Sequence, residues 1–485
     1  MKLNVRVSRF QLELTDQQFD ARVERRAIPK ALGQGSPEHD GAVFVEAAKT
    51  VFLCSPHIRS LLRAMVSMAL AHAERHFPAG ANFTNQAFSR CQWGTERASA
   101  ICFCGHSGVG KSELLKALGR LLATDATVDE PGISGLPLEA VWLTKVEAQG
   151  GLTQILGPAV VRANRLLSGK PLDQAGEEGS EAPNTPLRIR GLPQKARYLT
   201  WRNAVCLLCA DEFQNISTGE ASAKATGVLL QLNGIGPVLI YCANFNLVNK
   251  LKRRKPQDQN RLLTHPLIML PEQPGSQASL DYMLELVKIA PKVFIFDAKT
   301  AEPEIVEYTY NLRDNIVQLF KWSYIEARRK GRHTVDLAGL KEGYWSLGYS
   351  AIRSQVETLR LQVNQGQCQD PDLWCPFQPC LFWAEEEDGG KSSTAPKTTQ
   401  QAAVAQATAA IKGFEARVDD ALIAAALPPE QKDASSTARP KAKAKPKGKG
   451  KGKGKNQSKG KVIALPRRPT SKDELLKGAD LIDEL

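Results

Sequence analysis

At 485 residues, 42% of them apolar and 24% charged, the chain is too long for one ordinary domain and apolar enough to bury a large core. No window approaches about eighteen consecutive apolar residues, and the opening MKLNVRVSRFQLELTDQQFD lacks an apolar core followed by a small-residue cleavage site. Composition therefore argues against a membrane protein and predicts a cytoplasmic location, while the net charge of +13 is local: thirteen basic and no acidic residues lie between Arg439 and Arg468.

Residues 1–42 are polar, with turn signals at LGQGSPEHDG, and read as an N-terminal arm. From 43 to 97 the expectation is a helical N-terminal segment. Its clearest part has Ile58, Leu61, Leu62, Met65, Met68 and Ala69 at helical spacing behind Pro56. Residues 98–275 alternate short β-rich runs with helical patterns, which implies crossover connections and a parallel sheet flanked by helices. The strand candidates are Ala100–Cys104, Ala140–Lys145, Ala204–Ala210 and Pro237–Cys242; SGKPLDQAGEEGSEAPNTP (168–186) reads as an exposed insertion.

Residues 276–383 turn all-helical and read as a lid subdomain, with Ile316, Phe320 and Tyr324 at i, i+4 and i+8. Beyond it, 384–485 read as a linker, an Ala-rich helix, a disordered Lys/Gly-rich tail that cannot bury a core, and an acidic C-terminal docking motif, DELLKGADLIDEL. The ten cysteines are scattered, several inside apolar runs, as expected of reduced thiols. Cys368, Cys375 and Cys380 cluster without a nearby fourth ligand and read as loop or core cysteines, with zinc as the weaker alternative.

The chemistry begins at ICFCGHSGVGKSELLKALGRLLA. Gly105, His106, Ser107, Gly108, Val109, Gly110, Lys111 and Ser112 fit G-x-x-x-x-G-K-[ST], between an apolar run and a helical pattern. Glycines let the backbone wrap closely, so that N–H groups and the helix N-terminus face phosphate oxygens. Lys111 reaches the β- and γ-phosphates of ATP, and the Ser112 hydroxyl takes Mg²⁺. A hundred residues on, AVCLLCADEFQN ends a strand candidate in a carboxylate pair, with Asp211 on the metal side and Glu212 as the base for the attacking water. Together they predict an ATPase.

The next strand ends in Asn244, a candidate sensor of the γ-phosphate or equally a turn-forming Asn. NKLKRRKPQDQNRLLTHP follows. Its Arg261, or else Arg254 or Arg253, is a candidate arginine finger supplied to a neighbouring subunit, and its basic residues could equally grip a DNA backbone or simply be solvated. Arg313, in YNLRDNIVQLF, is a candidate second sensor, with a surface arginine as the alternative.

Over residues 43 to 362, the order GHSGVGKS, LEAVWLTKVEAQGGLTQIL, LCADEFQNIS, LLQLNGIGPVLIYCAN and LRDNIVQLFKWSYIEARRKGRHTVDLAGLKEGY resembles the TnsC/TniB family of AAA+ transposition regulators. Where that family often has Gly-Thr-Pro after the sensor strand, this chain has Ala243-Asn244-Phe245. The resemblance implies a P-loop AAA+ ATPase that assembles on double-stranded DNA as rings or helical filaments. It also implies that the assembly receives a target-selection protein, recruits a DDE-type transposase and is reset by hydrolysis. The rival readings are a helicase loader or replication initiator, and a non-catalytic DNA scaffold cemented by nucleotide. The Lys-Gly tail suits DNA, since each neutralised phosphate releases counterions.

Overall fold

The computed structural model describes residues 4–77, 100–123, 126–130, 133–147, 151–168, 191–217, 222–377 and 382–384. In chain order the elements are α1 (Val5–Ser8), α2 (Asp16–Val23), α3 (Pro37–Lys49), α4 (Pro56–His76), β1 (Ile101–Gly105), α5 (Lys111–Leu121), β2 (Thr127–Glu130), β3 (Ile133–Pro137), β4 (Val141–Lys145), α6 (Leu152–Ser168) and α7 (Leu192–Arg202). There follow β5 (Leu207–Asp211), α8 (Ser222–Leu232), β6 (Val238–Ala243), α9 (Phe245–Lys252), α10 (Pro256–Leu262) and β7 (His265–Met269). The last five are α11 (Gln277–Ile289), α12 (Ala298–Thr309), α13 (Arg313–Arg329), α14 (Leu337–Trp345) and α15 (Ser350–Gln365).

The central sheet is parallel throughout, in the order β4-β5-β6-β1-β7. Its inner strands are apolar on both faces, as a sheet covered by helices on each side requires. Alternation sorts their side chains between two cores. Ile101, Phe103, Cys209 and Ile240 meet α4 and α5 through Leu62, Met65, Leu114 and Leu118, whereas Cys102, Cys104, Leu208 and Tyr241 meet α6, α8 and α9 through Leu156, Leu229 and Val248. All four strand candidates lie within one to three residues of β1, β4, β5 and β6. The antiparallel hairpin β2–β3 and the edge strand β7 were not foreseen. In β7 the run HPLIM carries a proline, whose missing N–H an edge strand tolerates.

Helices α11 to α14 enclose a third core, in which Phe294 and Phe320 lie 4.8 Å apart between ring centroids, while α15 buries Val356 and Leu359 in the core of α4 and α5. The N-terminal helical segment divides between the cores. Phe44 of α3 packs on Phe294 at 5.3 Å and so belongs with the lid helices, while α4 covers the sheet. Residues 1–42, read as an arm, supply core anchors: Phe10, Phe19 and Val23 are buried against the α4–α5 side. Arg120 of α5 donates to the Val23 carbonyl at 2.7 Å, and Thr15 with Gln18 forms a reciprocal cap on α2. Most of the 168–186 insertion and everything beyond residue 384, including the tail and the acidic motif, lie outside the described residues.

Candidate nucleotide site

Strand β1 delivers Gly105 to the carboxyl edge of the sheet, between β6 and β7. A Cβ at Gly105 would collide with the Met269 carbonyl of β7, so only glycine lets the chain leave the strand here. Gly108 and Gly110 have φ of +76° and +112°, and Gly110 caps α5 with no side-chain bond, leaving the helix N–H groups free to face an anion. Val109 is buried in the core and pins the turn, while Ser107 is exposed. The ammonium of Lys111 donates to the Gly105 carbonyl at 2.9 Å and to that of His106 at 2.7 Å. Burial lowers its pKa, against the opposing pull of thiols and the Asp211 carboxylate.

His106 is buried edge-on to Phe245, 4.9 Å between centroids, and to Tyr310 at 6.1 Å. Desolvation, then the charge of Lys111, pulls its pKa down to about 3, so the imidazole is neutral. Neither its Nδ1 nor the Tyr310 hydroxyl has a hydrogen-bond partner.

Asp211 ends β5, separated from β1 only by β6, so the carboxylate pair and the phosphate cradle share one edge of the sheet. The Asp211 carboxylate accepts from the Glu212 N–H at 2.8 Å. Glu212 turns away with φ of +54°, and its carboxylate accepts from Asn215 Nδ2 at 3.1 Å and faces Lys145 Nζ of β4 at 3.6 Å. Ser112 stands in the first turn of α5. Its hydroxyl and the Asp211 carboxylate would offer oxygen donors only, the kind of ligand that Mg²⁺ takes.

Asn244 directly follows β6 and caps α9, its Oδ1 accepting from the Leu247 N–H at 3.0 Å. Its acceptor is thereby engaged, which leaves the amide Nδ2 as the group for a sensor role. Arg261 is half-buried in the last turn of α10, where its carbonyl accepts from the Ala100 N–H at 3.0 Å. In the basic loop, Arg254 faces Asp258 at 3.9 Å, Lys252 donates to the Pro376 carbonyl, and Arg253 is exposed.

Arg313 is no surface arginine. Its guanidinium lies 5.0 Å from the Tyr282 ring centroid and 5.8 Å from that of Phe52, and it pairs with the Glu272 carboxylate at 3.6 Å. The Arg313 side chain stands over Gly110, and the next residue, Asp314, donates its N–H to the Gly108 carbonyl at 3.0 Å. The lid therefore touches the phosphate turn directly. Sequence reading did not single out Glu272, Ser55, Asn215, Tyr310 or Trp383. Ser55 donates to Glu272 at 2.7 Å, and Trp383 stacks on Tyr310 at 4.4 Å. Only Asn215, three residues after Glu212, had a signal in its spacing.

Cys368 is exposed and Cys375 buried, Cys380 lies outside the described residues, and among those described no His, Cys, Asp and Glu side chains group to hold a metal. No described helix is long and apolar enough to cross a membrane.

A glycine turn leading from a central parallel strand into a helix, a carboxylate pair at the same sheet edge and a helical lid reaching over the turn define a P-loop fold of the AAA+ class. Among solved structures, the chain is similar to the ORC2 protein of Aeropyrum pernix in ADPNP-ADP complexes, at 15% identity, 62% coverage of this chain, 74% of that chain and a TM-score of 0.34. It is also similar to the RuvB Holliday junction branch migration motor of Thermotoga maritima (11% identity, 63% and 76% coverage, TM-score 0.29). A third is the Aeropyrum pernix ORC1 protein in complex with DNA (12%, 59% and 67%, TM-score 0.33). A scan against protein-family models finds no match, and a search of curated proteins finds none.

Proposed function

We infer that the chain is a DNA-binding ATPase that regulates transposition: it oligomerises on target DNA with ATP bound, links a target-selection protein to a DDE-type transposase, and is reset by hydrolysis. The observation that carries the ATPase part is the shared sheet edge of the Gly105–Ser112 turn and the Asp211–Glu212 pair. Lys111 would exchange its bonds to the Gly105 and His106 carbonyls for phosphate oxygens, and Arg313 is a lid cation packed over the turn. Mg²⁺ held by Ser112 and Asp211 would neutralise charge on the β- and γ-phosphate oxygens. Glu212 would accept the proton of the water that attacks the γ-phosphorus as the bond to the ADP oxygen breaks. Arg261 of a neighbouring subunit and Asn244 are the remaining candidates around the γ-phosphate.

The transposition part is supported by the resemblance over residues 43 to 362, and DNA binding by the basic loop and the tail charge. Negative-stain microscopy of the purified protein with duplex DNA, comparing ADP with a non-hydrolysable ATP analogue, tests it. Rings or filaments are expected only with the analogue. Particles indifferent to DNA and nucleotide would sink the assembly model, and ATP binding without DNA-stimulated phosphate release would leave the scaffold reading. A helicase loader would bind a replicative helicase and leave transposase unrecruited.

A further inference from the structure

The lid cation Arg313 and its carboxylate partner Glu272 sit on two separate stretches of backbone. Arg313 follows the α12–α13 turn, where Tyr310 and Asn311 both have positive φ, 55° and 50°, a conformation costly for residues with a Cβ. Glu272 follows β7 by way of Pro271. Asn311 ties the two together, donating from Nδ2 to the Glu272 carbonyl at 2.9 Å.

A third piece of chain grips both stretches. Beyond the lid, the Trp383 indole stacks on the Tyr310 ring, 4.4 Å between centroids and 27° between planes, and the Ala384 N–H donates to the Pro271 carbonyl at 2.9 Å. One contact falls three residues before Arg313, the other one residue before Glu272. Tyr310 also meets His106 edge-on at 6.1 Å, and the His106 carbonyl holds Lys111. Ahead of Trp383 the same stretch of sequence is anchored to α9, where Asn246 donates to Asp372 at 2.8 Å and Asn249 to the Pro371 carbonyl at 2.8 Å.

We propose that Trp383 and Ala384 form a clasp that positions Arg313: they hold it on Glu272, and nucleotide must pull it off that carboxylate to engage phosphate. This rests on the nucleotide-site reading and adds to it a positioning residue, Trp383, that acts through Tyr310. Losing the stack weakens only the arrangement in which Arg313 is withheld, so nucleotide then binds more tightly. Aromatic pairs of this kind are worth enough to shift an equilibrium about 2- to 10-fold.

The test is equilibrium binding of a fluorescent ATP analogue to the full chain. Trp383→Ala is expected to tighten binding about 2- to 10-fold and Trp383→Phe, which keeps a ring on Tyr310, to stay within about twofold of the parent. In an Arg313→Ala background, Trp383→Ala should change affinity by less than about twofold, because the positioned group is gone. An unchanged or weakened affinity for Trp383→Ala, or the same change in both backgrounds, would overturn the clasp. Hydrogen exchange on the unaltered protein keeps the proposal testable should the alanine variant fail to fold. Protection of the Ala384 amide should fall when the analogue binds, and constant protection would count against the clasp. If the parent binds no nucleotide at all, the site reading itself fails, an outcome distinct from both.

Discussion

Glu212 is held in a pose that its own backbone disfavours. A φ of +54° is uncommon for a residue with a long side chain, and such positions persist only where surrounding contacts enforce them. Here Asn215 Nδ2 and Lys145 Nζ fix the carboxylate. The lysine pair is largely exposed and so worth about 0–1 kcal/mol, which makes the asparagine the firmer tether. Glu212→Gln keeps the shape and loses the proton acceptor. It should leave nucleotide binding near normal and cut phosphate release by about 10²- to 10⁴-fold, the range for a removed general base. Lys145→Ala should change the rate by less than about fivefold. Both are read by a phosphate-release assay alongside fluorescent-nucleotide binding, and a Gln variant that turns over normally would remove Glu212 from the mechanism. At this scale the sequence was informative where geometry is local. The Gly105–Ser112 turn and the Asp211–Glu212 pair could be seen from spacing alone. The Arg313–Glu272 pair spans 41 residues and depends on how the lid docks, which no local pattern records.

The docking of the lid on the phosphate turn is a property of elements, and it passes through one glycine. Gly108 has φ of +76°, its carbonyl accepts the Asp314 N–H in the first turn of α13, and a Cβ there would stand 2.9 Å from the Asp314 Cβ. Gly108→Ala therefore brings both backbone strain and a clash between two backbone-rigid atoms. It should destabilise the fold by about 1–3 kcal/mol, seen as a lower urea midpoint, and weaken nucleotide binding by lifting α13 off the turn. Gly135, which also has positive φ but has nothing near its Cβ, is the control, and Gly135→Ala should leave nucleotide affinity untouched. If the two alanine variants bind nucleotide alike, contact between lid and turn does not govern the site. The same logic shows why some elements were legible and others not. Strands β1, β5 and β6 announce themselves as apolar runs because both faces are buried. Edge strand β7, carrying His265 and Pro266, lacks that signature. Helix α3 shows an apolar stripe, but nothing in it tells whether Phe44 meets the sheet or the lid helices; only the assembled core decides that.

For the molecule as a whole, charge is partitioned as sharply as structure. Of 64 basic residues thirteen lie between Arg439 and Arg468, and the other 51 balance the 51 acidic residues. Residues 1–384 hold 44 basic and 37 acidic residues, so their charges of both signs largely offset one another, whereas a run of lysines spaced by glycine and alanine neutralises phosphates without needing a fixed geometry. The nucleotide site, conversely, is confined to the body, where Lys111 and the carboxylate pair share one sheet edge and Arg313 of the lid stands over the turn. The two terms should therefore separate. Deleting 439–468 should weaken binding to duplex DNA and flatten its dependence on salt, since every phosphate left without a lysine takes about 0.9 off the slope of log affinity against log salt concentration. The ratio of affinities measured with an ATP analogue and with ADP should survive the deletion, because the groups that distinguish the nucleotides remain. Fluorescence anisotropy on a labelled duplex between about 50 and 200 mM salt measures both quantities on the same samples. An unchanged slope would mean that the tail does not touch DNA. Loss of the nucleotide ratio would mean that the tail is part of the ATP-gated grip on DNA and not merely its electrostatic tether.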